Sequence, residues 1–131
     1  MKLTQATIGY INIFEKVTGA NVKDCIEKDG NLLFIVEEGN IQKALKGLGK
    51  IESLLKKKIL IIGHSEDITK FVLNLLYPEK PDFIKFEHKI LTIEVQDSRM
   101  KGRIYGRSRE RLDWIQEVVK NYFDIEEIRV V

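Results

Sequence analysis

Cysteine occurs once in the 131 residues, at position 25, so no internal disulfide can form; this is the usage of a reduced, cytoplasmic protein. No stretch approaches the ~20 uninterrupted apolar residues of a membrane span, which sets aside a membrane role. Met1-Lys2-Leu3-Thr4-Gln5 runs into an amphipathic pattern instead of an apolar signal core, so no secretory leader is expected. Histidine occurs twice, at 64 and 88, with no second histidine or thiol at ligand spacing, and no metal site is expected. There is no Gly-x-x-x-x-Gly-Lys-Thr phosphate loop, no His-Glu-x-x-His, and no recognisable nucleophile–base pair. The chain reads as a non-enzyme with neither cofactor nor small-molecule substrate. Proline occurs twice, at 78 and 81, in one short stretch near the middle of the chain.

What is present is enough apolar material for a core. Hydrophobic residues make up 44% and charged residues 32%, which excludes disorder as a description of the whole chain. The length suits one ordinary domain or two very small ones. The net charge of +2 is unevenly spread. From Gln42 to Lys58 stand Lys43, Lys46, Lys50, Lys56, Lys57 and Lys58 against Glu52 alone. From Arg99 to Arg111 stand Arg99, Lys101, Arg103, Arg107, Arg109 and Arg111 against Glu110 alone. Each segment carries +5, and taking both from +2 leaves −8 on everything else. An acidic body with two basic segments points to a polyanionic partner held at defined places; two solvated helix faces are the plainer alternative.

Along the chain, Thr4 is placed to cap a helix in which Leu3, Tyr10, Ile13, Phe14 and Val17 recur at helical spacing, ended by Thr18-Gly19-Ala20-Asn21. Residues 22–27 and 31–37 read as strands joined through Lys28-Asp29-Gly30, a hairpin signal. Ile41, Ala44, Leu45, Leu48, Ile51, Leu54 and Leu55 form a helical stripe that Gly47 and Gly49 interrupt, which predicts two short helices with a turn between them. Residues 58–62 are a short apolar strand, and Cys25, in the first strand, is expected to be a buried small residue. The order then repeats. Ser65-Glu66-Asp67 starts a helix bearing Ile68, Phe71, Val72, Leu75 and Leu76, which Pro78 and Pro81 close. Residues 82–87 and 90–95 form a second hairpin, and Asp97-Ser98 caps a helical stretch broken at Gly102 and Gly106. A longer helix buries Leu112, Ile115, Val119 and Tyr122, with Trp114 near the same face, and residues 124–131 supply the last strand. Helix, strand, strand, helix, helix, strand is thus written twice, in units of 1–63 and 64–131.

This order, with a glycine-containing turn between the two central helices, resembles the K-homology (KH) RNA-binding unit in its type II arrangement. The resemblance implies an α+β fold of two tandem type II KH-like units, each α-β-β-α-α-β, a three-stranded mixed sheet with helices on one face. In such a unit a Gly-x-x-Gly loop lets the backbone approach phosphates closely, and the following helix directs free N–H groups at the anion. Met1-Lys2-Leu3-Thr4-Gln5, Thr18-Gly19-Ala20, Asp24-Cys25 and Tyr122-Phe123-Asp124-Ile125 are similar to the archaeal NusA-like transcription factors over the whole chain. That family implies binding of single-stranded RNA during elongation, termination or antitermination, and RNA polymerase as a further partner.

The family loop reads approximately Gly-x-Ala-Ile-Gly-Lys-x-Gly-x-Asn, and both units depart from it. The second has Gly102-Arg103-Ile104-Tyr105-Gly106-Arg107-Ser108-Arg109, with Arg109 where the second loop glycine belongs. Arginine resists a positive φ, yet its guanidinium can bond a phosphate directly. The first has Lys43-Ala44-Leu45-Lys46-Gly47-Leu48-Gly49-Lys50, its glycines one residue apart and the stretch shorter by about a turn. By resemblance, Lys101, Gly102, Arg103, Gly106, Arg107, Ser108 and Arg109 form the better-preserved RNA contact. Lys43, Lys46, Gly47, Gly49 and Lys50 form its degraded counterpart. Tyr105 either packs beneath the loop or meets a base. The alternative to an RNA binder is a protein–protein adaptor on RNA polymerase, which the altered loops favour and the clustered basic residues oppose.

Overall fold

The computed structural model describes residues 4–131, so Leu3, on the apolar stripe above, lies outside the described residues. Each half of the chain opens on a helix capped by its own sequence. At α1 (Gln5–Thr18), Thr7 N donates to Thr4 Oγ1 at 3.1 Å and Thr4 N donates to Thr7 Oγ1 at 2.8 Å. The box satisfies two donors that a helix start leaves open. At α4 (Ile68–Leu76), Asp67 accepts from Thr69 N at 2.9 Å.

The chain divides after Ser65 into two compact units. In the first, β1 (Val22–Lys28) and β2 (Asn31–Val36) are antiparallel around Asp29-Gly30, whose φ values of 52° and 79° match an I′ hairpin turn. α2 (Ile41–Lys46) and α3 (Leu48–Leu55) carry the chain to β3 (Ile59–Gly63), parallel to β2. In the second unit, α4 leads to β4 (Phe83–Glu87) and β5 (Ile90–Glu94), again antiparallel. α5 (Ser98–Tyr105), a 3-10 turn over Arg107–Arg109, and α6 (Glu110–Lys120) precede β6 (Glu127–Val130), parallel to β5. The two sheets run β1-β2-β3 and β4-β5-β6, each mixed and three-stranded, so the doubled α-β-β-α-α-β order is realised.

Alternation along the strands decides what each core contains. On the helix side of the first sheet, Cys25, Leu32, Phe34, Val36 and Ile59 pack with Phe14, Ala20, Ala44 and Ile51. The Phe14 and Phe34 rings stack at 4.1 Å between centroids; fully burying such a side chain is worth roughly 2–3 kcal/mol. Ile13 is 40% exposed and stands off this core. In the second unit Phe71, Val72, Leu75 and Leu76 of α4, Leu91 and Ile93 of β5, Ile104 of α5, and Leu112, Ile115, Val118 and Val119 of α6 are buried. Tyr122 follows the end of α6 and meets the Phe71 ring edge-on at 5.6 Å, and Trp114 is half-buried. Among the described residues no helix is long and apolar enough to cross a membrane.

The last strand is shorter than residues 124–131. Lys89, in the tip of the second hairpin, pairs with Asp124 at 3.0 Å and its carbonyl accepts from Glu126 N at 2.7 Å. These contacts hold residues 124–126 against the tip as a loop, and the ladder begins only beyond them.

Cys25 is 4% exposed. Burial, helped by the carboxylates of Asp24 and Glu27, pushes its thiol from 9.0 to about 12, so almost no thiolate exists at neutral pH. Alkylation by iodoacetamide at pH 8 is expected to be at least ~100-fold slower in the native chain than in urea, read by mass spectrometry over time. Equal rates in both would contradict this packing.

Candidate nucleic-acid interface

In the first unit the two central helices meet at one residue. Gly47 has φ −95° and ψ 1°; its N–H donates to Ala44 O at 3.1 Å and its carbonyl accepts from Ile51 N at 3.0 Å. Backbone groups that an open loop would turn toward an anion are here used in helix bonds. A Cβ at Gly47 would stand 2.7 Å from Thr18 Cγ2. Thr18 cannot swing away freely, because its Oγ1 donates to Phe14 O at 2.8 Å and accepts from Ala20 N at 3.1 Å. Gly47 is therefore required by the approach of α1 to the α2–α3 junction. Gly49 lies within α3, exposed, with open space where a Cβ would be. Lys43 and Lys46, three apart on α2, and Lys50 on α3 are all exposed. Lys57 is occupied elsewhere: its Nζ lies 3.1 Å from Glu27, and that hydrogen bond raises its pKa.

The second unit keeps a loop. Gly106 takes φ 71° and ψ −178°, a region open only to glycine, and a Cβ there would lie 2.6 Å from Arg111 Cβ. Ser108 (φ 53°, ψ 33°) and Arg109 (φ 65°, ψ 11°) follow in the left-handed region. Arg109 thus adopts the conformation that a glycine takes freely, at roughly 1–2 kcal/mol. Part of this is offset locally, since its guanidinium lies 5.5 Å from the centroid of the Tyr105 ring, a contact worth roughly 0.5–1 kcal/mol. Its Nε is 4.0 Å from Asp113 Oδ1 across two exposed side chains, which adds little. Tyr105 packs beneath the loop, and its Oη donates to Val130 O at 3.4 Å. Arg107, Ser108 and Arg109 are all exposed. Glu110 and Asp113 occupy the first turn of α6, so the positive end of that helix already faces carboxylates. Attraction for an anion at this loop rests on the arginines.

Arg111 has a different task. Its guanidinium pairs with Glu79 through Nη1, which also donates to Arg103 O at 2.8 Å, while Nη2 donates to Leu76 O at 2.9 Å. One side chain thus ties the start of α6 to the end of α4 and to α5, directly beneath Gly106. Glu79 is 7% exposed and Arg111 27%. Charge counting places Arg111 in the basic segment, but nothing in the sequence links it to a glutamate 32 positions away.

The remaining candidates lie on α5. Gly102 and Arg103 are exposed on the helix, with the Arg103 carbonyl taken by Arg111. Lys101 is half-buried and lines an open hollow of about 450 Å³ with Asp82, Glu94, Val95, Gln96 and Val131, where carboxylates accompany it. The structure therefore gathers Gly106, Arg107, Ser108 and Arg109 into one loop and sets Lys101 in acidic company. Among the described residues no three His, Cys, Asp or Glu side chains are grouped to hold a metal ion.

Two mixed three-stranded sheets, each α-β-β-α-α-β with its helix pair joined at or near a glycine, define a protein of tandem KH-like units. No family model matches the chain. It is 30% identical over 138 residues to a probable transcription termination protein NusA of Methanococcus vannielii, covering all of this chain and 80% of that protein. It is 27% identical to the protein of that name in Methanocaldococcus jannaschii, covering all of this chain and 75% of that one. With the Halococcus morrhuae protein of that name it shares 25% identity, over 98% of this chain and 96% of that one. The chain belongs to the archaeal family of NusA-like transcription termination proteins. Its fold is also that of the crystal structure of APE1850, with a TM-score of 0.77 at 22% identity over 98% of this chain and all of that one.

The two glycines of the first unit should separate in stability. Gly47→Ala is expected to cost about 1–3 kcal/mol through the clash with Thr18, whereas Gly49→Ala should gain about 0.5–1 kcal/mol of helix propensity. Urea denaturation of the two variants measures both, and equal effects would contradict the junction described. Glu79→Ala, which leaves Arg111 without its carboxylate, is expected to cost about 2 kcal/mol by the same measurement, below the range for fully buried pairs because Arg111 is partly solvated.

Proposed function

We propose that this NusA-like protein acts by binding single-stranded nascent RNA, with the loop Gly106, Arg107, Ser108 and Arg109 of the second unit as its main phosphate contact. The single observation that carries this reading is the shape of the loop. Arg109 is held in the left-handed conformation at φ 65° although it is not glycine, so the turn is maintained at an energetic cost and two exposed guanidinium groups flank it. Each guanidinium can donate paired, charge-assisted hydrogen bonds to phosphate oxygens. Gly102 and Arg103, exposed on the helix leading into the loop, extend the contact, and Lys101, half-buried beside Asp82 and Glu94, contributes less. In the first unit Lys43, Lys46 and Lys50, around Gly47 and Gly49, supply point charges that attract the same polyanion without a backbone cradle. The mechanism is binding and positioning of RNA, with no bond made or broken. A unit of this kind holds about four nucleotides.

A second reading is favoured by one observation, the closed junction at Gly47: the first unit serves as a protein contact, with RNA polymerase as the partner. Fluorescence anisotropy decides between them. The unmodified chain is expected to bind short single-stranded RNA in preference to DNA, more weakly as salt rises. Arg107→Ala/Arg109→Ala is expected to lose about tenfold or more in affinity and to lower the log–log salt slope by about 1.4, or ~0.7 for each phosphate contact. Unchanged affinity and slope would remove the loop from the interface. No RNA binding at low salt would leave the adaptor reading.

A further inference from the structure

Among the described residues β6 is paired on one side only, as the outer strand of its sheet. Val131 N donates to Ile93 O at 2.9 Å, and Val131 O accepts from Val95 N at 3.0 Å. In a parallel ladder the alternate residues direct their N–H and C=O away from the partner strand, so Ile128 and Val130 present theirs to the open edge. Such an edge is a row of donors and acceptors ready to pair with another molecule. Here one group on each outward residue is bonded from within. Ile128 N donates to Gln116 Oε1 at 2.7 Å, and Val130 O accepts from Tyr105 Oη at 3.4 Å. The two side chains come from the helices on either side of the Gly106–Arg109 loop, Tyr105 at the end of α5 and Gln116 in the middle of α6. The Tyr105 ring also carries the Arg109 guanidinium.

We propose that Tyr105 and Gln116 shut this strand edge to RNA bases, so that the second unit grips single-stranded RNA by its backbone and discriminates little among sequences. The proposal rests on the RNA-binding reading above. Phosphate contacts position a strand but carry no sequence information; discrimination needs directional donors and acceptors against base edges. The loop offers arginines, which suit phosphates. Each outward residue of the strand beside it already has one of its two backbone groups bonded, Ile128 N to Gln116 at 2.7 Å and Val130 O to Tyr105 at 3.4 Å, so a base pairing with both groups of either residue must displace one of these side chains. Tyr105 and Gln116 are thus specificity-determining residues that act by exclusion, with no direct role in holding the phosphates.

The experiment is an anisotropy titration of the full chain with oligomers of U, A and C, each about eight nucleotides long, beside Tyr105→Phe/Gln116→Ala. For the unmodified chain, affinities within about threefold of one another are expected, and a spread of about tenfold or more in the double variant. Tyr105→Phe alone removes one oxygen and keeps the ring under Arg109, so it provides the same test, with a smaller widening, should the double variant melt early. A tenfold spread in the unmodified chain, or variants as indifferent to sequence as the parent, would overturn the proposal while leaving RNA binding in place. No binding to any oligomer at low salt would overturn the RNA-binding reading, and this inference with it.

Discussion

In both units the chain must turn from its second helix into its third where there is no room for a Cβ. At Gly47 the neighbour is the Thr18 methyl group, 2.7 Å from where a Cβ would stand; at Gly106 it is Arg111 Cβ at 2.6 Å. The same constraint is met in two ways, and most of the difference between the units follows. In the first, the approach brings α1 onto the junction, and the turn shrinks to one residue with helical hydrogen bonds on both sides. In the second, the approach is between the loop and the helix that follows it. The chain leaves α5 at an extended glycine geometry and needs three more residues, two of them left-handed, before α6 begins. A loop with exposed side chains exists in one unit and not in the other because of what each glycine packs against.

The charge distribution takes on a different meaning once partners are assigned. Two segments of +5 stand on a body of −8, but neither segment is uniformly available to a ligand. Lys57 is bound to Glu27, and Arg111 is committed to Glu79 and two backbone carbonyls. What remains differs in kind. The first unit presents exposed lysines on α2 and α3, compact and strongly hydrated charges with no fixed direction. The second presents Arg107 and Arg109 on a turn, planar forks whose geometry suits paired hydrogen bonds to an anion in a defined direction. The two halves of the duplicated sequence thus carry charge of different kinds.

Much of this fold was legible in the sequence because its signals are local. Thr4 and Asp67 cap helices, Asp29-Gly30 makes a hairpin, and the apolar stripes of α4 and α6 have the period of a helix. The repeat of six elements needed only those signals in order. What could not be read depended on contacts distant along the chain. The start of β6 was set too early because Lys89, in the second hairpin, holds residues 124–126 as a loop. Gly47 looked like a loop residue because its neighbour, Thr18, is 29 positions away. Arg111 counted as free charge because Glu79 lies beyond the reach of any spacing rule. The loop of the second unit was partly legible: Gly106 and its arginines stood out, but an arginine at the second glycine position argued against the turn, and only the backbone angles show that it persists.

That persistence is itself informative about where strain is placed. Left-handed residues other than glycine also occur at Asp29, Lys56, His88 and Lys89, and each of these belongs to a hairpin tip or a helix end that the rest of the unit fixes in place. Ser108 and Arg109 are held the same way. Below them Arg111 locks the start of α6 to α4 and α5, and beside them Tyr105 is tied to β6. The turn is therefore over-determined by packing, which is the condition under which a strained backbone survives. A contact surface built on such a turn loses little conformational freedom when a ligand arrives, because the ordering was done during folding. The hydrogen bonds of Tyr105 and Gln116 to β6 belong to the same framework, and Tyr105 serves both, carrying the Arg109 guanidinium and bonding Val130 O. On the proposed RNA-binding reading, a rigid phosphate contact and an open edge for reading bases would compete for the same side chains, and the arrangement would favour the phosphate.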